Sequence, residues 1–332
     1  MAVAVLGAGS WGTALSTVSA RHQPVRLWAR RPALAEEINS SRRNPEYLSE
    51  FCLADEIVAT ADMAEAVSEA SLVVMAAPSH GFRAVLAEAA PFLGPDVPVL
   101  SLAKGLEAGS LLRMTEVIDE VAPGRPRGVL TGPNLAREVI EGQPTASVVA
   151  MTDAGACLRA QALLSTDTFR VYTNDDVVGC EIAGALKNVM AIAAGLSDGL
   201  GFGDNSKAAL ITRGLAELTR LGVAIGGRPL TFAGLAGMGD LVATCISQHS
   251  RNRSVGVELA RGRSIDDIVD SMKMVAEGVK TAPVVVELAR RHGVDMPIAD
   301  QVVAVLEGHT TAHEVIPALM QRQAKPELYG MN

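Results

Sequence analysis

Lys187 and Asn188 sit in the middle of an apolar run, G-C-E-I-A-G-A-L-K-N-V-M-A-I-A-A-G, residues 179–195. The run reads as a buried helix, and burying an ammonium is costly unless it is paired or gives up its proton. Such a lysine has a carboxylate partner, a task as acid and base, or both. Helical spacing puts Glu181, Gly184, Lys187, Asn188 and Ala191 on one face. Small residues around the two polar groups leave room for a small molecule, although a structural salt bridge at a domain junction fits the same pattern. Asp240, closing the glycine-rich segment 234–240 (G-L-A-G-M-G-D), is a candidate carboxylate for Lys187. Lys104 is a second cation, just past a buried strand in S-L-A-K-G, residues 101–105. Farther on, Ser250 can cap a helix running past Glu258. The N–H groups of Arg251 and Asn252 would then face an anion, and the Arg251 fork suits a phosphate.

A second constellation lies at the start of the chain. Residues 2–6 (A-V-A-V-L) have a buried-strand pattern and run directly into G-A-G-S-W-G, residues 7–12, and a helical stretch to about Arg21. In that context Gly7 can take the tight turn, Gly9 can admit a pyrophosphate against the backbone, and Gly12 can let helix and strand approach. The helix start adds N–H groups and partial positive charge. A purely structural glycine turn is the alternative. The next strand, 24–28, ends in Ala29, Arg30 and Arg31, where an acid for the ribose 2′-hydroxyl is expected. Two guanidinium groups suit a 2′-phosphate instead, so NADP is favoured, with NAD kept open. Both arginines also fit as solvated charges.

The elements that must carry these groups follow from periodicity. Strand-like runs recur at 57–60, 72–77, 97–102, 128–130 and 147–151, with helical segments between most of them. That alternation predicts an α/β fold with a Rossmann-like, doubly wound, mostly parallel sheet. Ligands of such sheets collect beyond the carboxyl ends of the strands. The loops there are A-P-S-H (77–80), S-L-A-K-G and T-G-P-N (131–134). His80 reads more readily as a solvated or capping loop residue than as a catalyst.

After Asp175 the pattern is helical without strands, which predicts a dinucleotide-binding domain over 1–178 and an all-α substrate domain over 179–332. Lys187 would then stand where the domains meet, a favoured place for a pocket. Residues 198–207 and 275–281 read as glycine-bearing polar loops. In the second, Glu277 can meet a cofactor ribose or solvent.

Composition excludes several classes. A chain of 332 residues with 48% hydrophobic and 20% charged content fills about two cores rather than staying disordered. A net charge of -8 with scattered basic residues lacks a nucleic-acid footprint. The four cysteines form no C-x-x-C pair, so neither a metal nor a redox motif is expected and a reduced cytoplasm is. No signal peptide and no membrane span are expected.

Five motifs in order, G-A-G-S-W-G-T-A-L, S-L-A-K-G, E-I-A-G-A-L-K-N, D-G-L-G-F-G-D-N-S-K-A-A-L-I-T-R-G and G-M-G-D-L-V-A-T-C, make the chain resemble bacterial-type glycerol-3-phosphate dehydrogenase (NAD(P)+) over roughly residues 1–320. The resemblance implies NAD(P)H-dependent, reversible reduction of dihydroxyacetone phosphate to sn-glycerol 3-phosphate, for glycerophospholipid synthesis. It also implies a cytoplasmic, commonly dimeric enzyme. Residue by residue, it makes Lys187 the proton donor and acceptor and Lys104 a contact to both substrate and cofactor. Gly132, Asn134, Asp240, Ser250, Arg251 and Asn252 match its substrate positions. Ser10, Trp11, Arg30, Arg31, Ala136, Val275 and Glu277 match its cofactor positions, with Arg251 shared. Thr131 replaces a more usual serine, and Asn134 stands where a hydroxyl residue is frequent.

Overall fold

A computed structural model of the chain describes residues 1–272, 276–327 and 329–330. The chain forms two compact units, Met1–Ala103 with Arg113–Val177, and Lys104–Leu112 with Val178–Asn332.

The first unit alternates strands and helices: β1 (Ala2–Leu6), α1 (Ser10–Ser19), β2 (Val25–Trp28), α2 (Pro32–Ser41), β3 (Ile57–Thr60), α3 (Met63–Val67), β4 (Ala70–Met75), α4 (Ser79–Ala89), β5 (Val99–Ser101), α5 (Met114–Val121), β6 (Arg127–Thr131), α6 (Ala136–Ile140), β7 (Thr145–Met151), α7 (Ala154–Leu164) and β8 (Phe169–Asn174). The strands form one sheet in the order β3-β2-β1-β4-β5-β6-β7-β8. Every neighbouring pair is parallel except β6 with β7. The order reverses between β1 and β4, the switch point at which doubly wound sheets bind ligands. Strand β1 is buried along its whole length, as its unbroken apolar run requires.

The sheet is the expected α/β architecture with one strand more than the apolar runs indicated. The unexpected strand, β8, buries Phe169 and Val171 and exposes Arg170 and Tyr172. It lies at the sheet edge beside β7. A half-exposed edge strand alternates in polarity and is missed by a search for continuous apolar runs.

The second unit is helical: α8 (Val177–Gly199), α9 (Asp204–Ala224), α10 (Pro229–Ala233), a π-helical turn (Leu235–Gly239), α11 (Asp240–Ile246), α12 (Arg251–Ala260), α13 (Ile265–Ser271), α14 (Glu277–Arg291), α15 (Pro297–Leu306) and α16 (Ala312–Met320). By length and hydropathy alone α8 would suit a membrane span, yet 94% of its apolar stretch is buried inside the protein. It is the core helix of the unit, buried nearly all round, with Glu181, Lys187 and Asn188 as polar groups among its apolar residues.

Segment Lys104–Leu112, placed by chain continuity in the 1–178 domain, packs with the helical unit. Two stretches read as loops are partly helical: α9 already starts at Asp204 and α14 at Glu277. His80, read as a loop residue, is exposed in the first turn of α4.

Candidate active site

The helical unit brings three charged groups together. Asp240 opens α11, is 2% exposed, and accepts from Lys187 Nζ through Oδ1 and from Lys104 Nζ through Oδ2 at 2.7 Å. One carboxylate thus serves two ammonium groups, each oxygen taking one. Lys187 also donates to Thr244 Oγ1 at 2.7 Å, and that hydroxyl donates back to the Asp240 carbonyl at 2.6 Å. Burial lowers the Lys187 ammonium from its ordinary value to about 8. Asp240 opposes that fall and the nearby Lys104 charge adds to it. The result is a proton donor that is mostly charged at neutral pH and easily emptied, the condition that general acid–base work needs.

Thr244 escaped the sequence reading. Its signal was present: once α11 begins at Asp240, the fourth residue on lies one turn along the same face. Next along α11, Cys245 is buried and its thiol is pushed up to about 12, chiefly by that burial, so it is an inert neighbour rather than a nucleophile.

Asn188, one residue beyond Lys187, donates through Nδ2 to the Lys104 carbonyl at 2.8 Å. Its Oδ1 accepts from Asn252 Nδ2 at 2.9 Å, and Asn252 Oδ1 accepts from the Gly278 N–H at 2.9 Å. Ser250 caps α12 by accepting from Arg253 N at 3.3 Å, and Arg251 and Asn252 follow as its first residues. The start of α12 is braced by Asp198, which pairs with Arg253 and with Lys207, both at 2.6 Å. Asp198 therefore ties the last turn of α8 to the first turns of α9 and α12. It was read only as part of a glycine-rich loop.

The sheet unit holds the other constellation. Gly7 lies at φ 126°, a region open to glycine, and a methyl there would come within 3.0 Å of the Ala76 backbone past the end of β4. A methyl at Gly12 would run into the Gly7 carbonyl oxygen. At Gly9 it would meet nothing within 4 Å. Gly7 and Gly12 are thus required by the protein's own packing, whereas at Gly9 the space lies free above the start of α1. Helix α1 has no side-chain cap and no acid in its first turn, so it can receive an anion. Trp11 Nε1 is buried without a hydrogen-bond partner, a donor in search of an acceptor. The cradle fits a dinucleotide.

Arg30 and Arg31 follow β2, both exposed, and Arg31 is paired with Glu46, which raises its pKa. Gly132 sits at φ 127° just past β6. Asn134 donates to Ser147 Oγ at 3.1 Å while its Oδ1 is buried without a partner. Ala136 starts α6, and Glu277 is the half-buried first residue of α14. Val275 lies outside the described residues.

Comparison with known proteins agrees over both units. The family models for NAD-dependent glycerol-3-phosphate dehydrogenase match at residues 2–157 for its N-terminus and 176–317 for its C-terminus. A glycerol-3-phosphate dehydrogenase [NAD(P)+] of Sphingopyxis alaskensis is 55% identical over 98% of each chain. One of Mycobacterium avium is 51% identical over 99% of this chain and 96% of the other. The crystal structure of glycerol-3-phosphate dehydrogenase from Coxiella burnetii, 36% identical, superposes with a TM-score of 0.93 over 97% of this chain and 99% of that one.

Proposed function

The chain belongs to the NAD-dependent glycerol-3-phosphate dehydrogenase family, and from that premise we propose that Lys187 delivers the proton as the ketone of dihydroxyacetone phosphate becomes the C2 alcohol of sn-glycerol 3-phosphate. The reaction is a reversible NAD(P)H-dependent reduction whose product supplies glycerophospholipid synthesis. The observation that carries the residue assignment is the single buried carboxylate shared by two lysines, one of them with its pKa depressed to about 8.

A bound reduced nicotinamide supplies the hydride. Lys104 polarises the substrate carbonyl and favours charge developing on its oxygen. Lys187 gives that oxygen a proton and becomes a neutral amine, a form stabilised by its own burial. Asp240 keeps both ammonium groups aimed, and Thr244 fixes the rotamer of Lys187. For the substrate phosphate the supporting features are the Ser250-capped start of α12 and the Arg251 and Asn252 side chains. Holding the ketone in this way contributes to rate by orientation. Gly132, Asn134 and Asn188 complete the proposed substrate set. Gly7, Gly9, Ser10, Trp11, Gly12, Ala136, Val275 and Glu277 make the proposed cofactor set, with Lys104 and Arg251 shared.

The cofactor is NAD or NADP, and we propose NADP as preferred, with Arg30 and Arg31 on the 2′-phosphate. Arg31 would exchange Glu46 for the phosphate. Replacing Arg30 or Arg31 by Glu should then lower kcat/KM for NADPH relative to NADH; an unchanged ratio in both variants removes this preference. We also propose a homodimer working in the cytoplasm. Four free cysteines fit a reducing compartment, and exposed Leu230, Met238 and Ile246 offer apolar surface to a second copy.

Reduction requires the protonated lysine, so its kcat should fall as pH rises through about 8, while oxidation of glycerol 3-phosphate should gain over the same window. Lys187→Met should abolish that limb and lower kcat by roughly a hundredfold or more. Near-normal turnover in a folded Lys187→Met protein rules the assignment out.

A further inference from the structure

Lys104 is held at both ends. Its ammonium pairs with Asp240, and its carbonyl accepts from Asn188. From that carbonyl a chain of hydrogen bonds continues through Asn188 and Asn252 to the backbone N–H of Gly278, each link 2.8 or 2.9 Å. The two asparagines are 4% and 8% exposed, so the relay is shielded from water that would otherwise compete for it.

The direction of the relay is forced by its ends. A backbone N–H can only donate, which turns the Asn252 oxygen toward Gly278 and its NH2 toward Asn188. The Asn188 oxygen must then face Asn252, which leaves its NH2 for Lys104. A backbone carbonyl can only accept, so the far end fits without reversal. Gly278 is needed for the near end. A methyl there would lie 2.7 Å from the Asn188 carbonyl oxygen and 2.8 Å from Asn252 Oδ1, too close for either to remain. Nothing about its backbone conformation demands glycine; the close approach does.

We infer that Gly278 and Asn252 are positioning residues for the reaction, acting through Asn188 to hold Lys104 where it meets the substrate carbonyl. The inference rests on the assignment of Lys104 to substrate. It also links α14, whose first residue is Glu277, to that lysine by a continuous run of hydrogen bonds. Each asparagine amide keeps one N–H outside the relay, so a direct part in binding substrate is compatible with the positioning role.

A double-mutant cycle tests this with the purified enzyme, NADPH and dihydroxyacetone phosphate. Lys104→Ala should lower kcat strongly. Gly278→Ala should lower it by about tenfold or more in the otherwise unaltered enzyme but by less than about twofold in the Lys104→Ala background. The alkaline limb of the kcat profile should also move up in Gly278→Ala. Burial is the main cause of the low Lys187 pKa, but displacing Lys104 removes the like charge that adds to it, which a merely structural loss would not do. Should Gly278→Ala not fold, Asn252→Asp carries the same cycle. A carboxylate still accepts from Gly278 but faces the Asn188 oxygen with oxygen, which turns the Asn188 amide and breaks the bond to Lys104. Equal fold losses in both backgrounds with an unmoved limb overturn the relay. Full turnover in Lys104→Ala overturns the assignment of that lysine, and the inference with it.

Discussion

The two units build their sites by opposite means. In the sheet unit the candidate cradle is made of backbone and missing atoms: three glycines, a helix start and the space above Gly9. In the helical unit the site is made of charged side chains that are expensive to bury and are therefore held by many partners, with Lys187, Lys104, Thr244 and Asp240 in one hydrogen-bonded group. A cradle of backbone binds without being perturbed, which suits the pyrophosphate, a part of the proposed cofactor that the reaction leaves unchanged. A cluster of buried charges changes proton affinities, which suits the chemical step.

The sharpest break of this contrast is Asp240→Asn. It leaves the buried Lys187 ammonium and the half-buried Lys104 one facing a neutral amide, and removing one member of a buried ion pair costs about 3–5 kcal/mol. Lys187 can relieve that cost by losing its proton, because the charge that raises its pKa is gone. The variant should melt well below the parent, reduce dihydroxyacetone phosphate at least about a hundredfold more slowly at neutral pH, and show its alkaline limb at lower pH. A variant with unchanged melting and an unmoved limb would mean that the cluster is not held by charge.

The sheet unit should respond differently, and two glycines separate packing from ligand. Gly12→Ala pushes a methyl into the Gly7 carbonyl, so the α1 and β1 junction must shift and the melting temperature should fall. Gly9→Ala meets no protein atom, and its backbone at φ -78°, ψ -178° is open to alanine. It should melt like the parent while raising the KM for NADPH by about tenfold or more, because the methyl fills space left for the pyrophosphate. Equal stability losses in the two variants, with no change in KM for Gly9→Ala, would return the motif to a structural turn.

The same contrast explains what could be read from the residues alone. Gly7, Gly9 and Gly12 are legible because their spacing has a meaning in any strand–turn–helix context. Lys187 is legible because a charge inside an apolar run is anomalous wherever it ends up. The partner of a charge is harder, since it depends on how distant segments pack. Asp240 was reachable as a candidate carboxylate in a glycine-rich stretch, but Thr244, the Asp198 brace and the pairing of Arg31 with Glu46 were not. The assignment of Lys104–Leu112 to the helical unit escaped for the same reason. Its bonds to Asn188 and Asp240 span 84 and 136 residues, and no local pattern encodes them.

A buried carboxylate held by backbone N–H groups instead of lysines sharpens the comparison most finely. Glu217 on α9 is 2% exposed and accepts from the N–H groups of Ile298 at 2.8 Å and Ala299 at 3.3 Å, in the first turn of α15. Burial raises its pKa to about 7, and the two N–H groups, with a smaller contribution from the Arg220 charge, only partly oppose that rise. A carboxyl with a raised folded pKa holds its proton in the native state after the unfolded chain has released it. Stability contributed by Glu217 is therefore largest below about pH 4.5 and is lost progressively as pH rises to about 7, after which the loss is constant. The window corresponds to roughly 3 kcal/mol as an upper figure. Glu217→Gln, which carries no charge to bury, should lose that slope while keeping kcat for reduction. Denaturant unfolding of both proteins at about pH 5 and about pH 8 measures the difference, and parallel slopes would show that the α15 N–H groups already compensate the buried charge. Asp240 and Glu217 are equally hidden from water, and of the two only Asp240 pairs with two lysines, which fits it for the proposed chemical step where Glu217 serves as a cap.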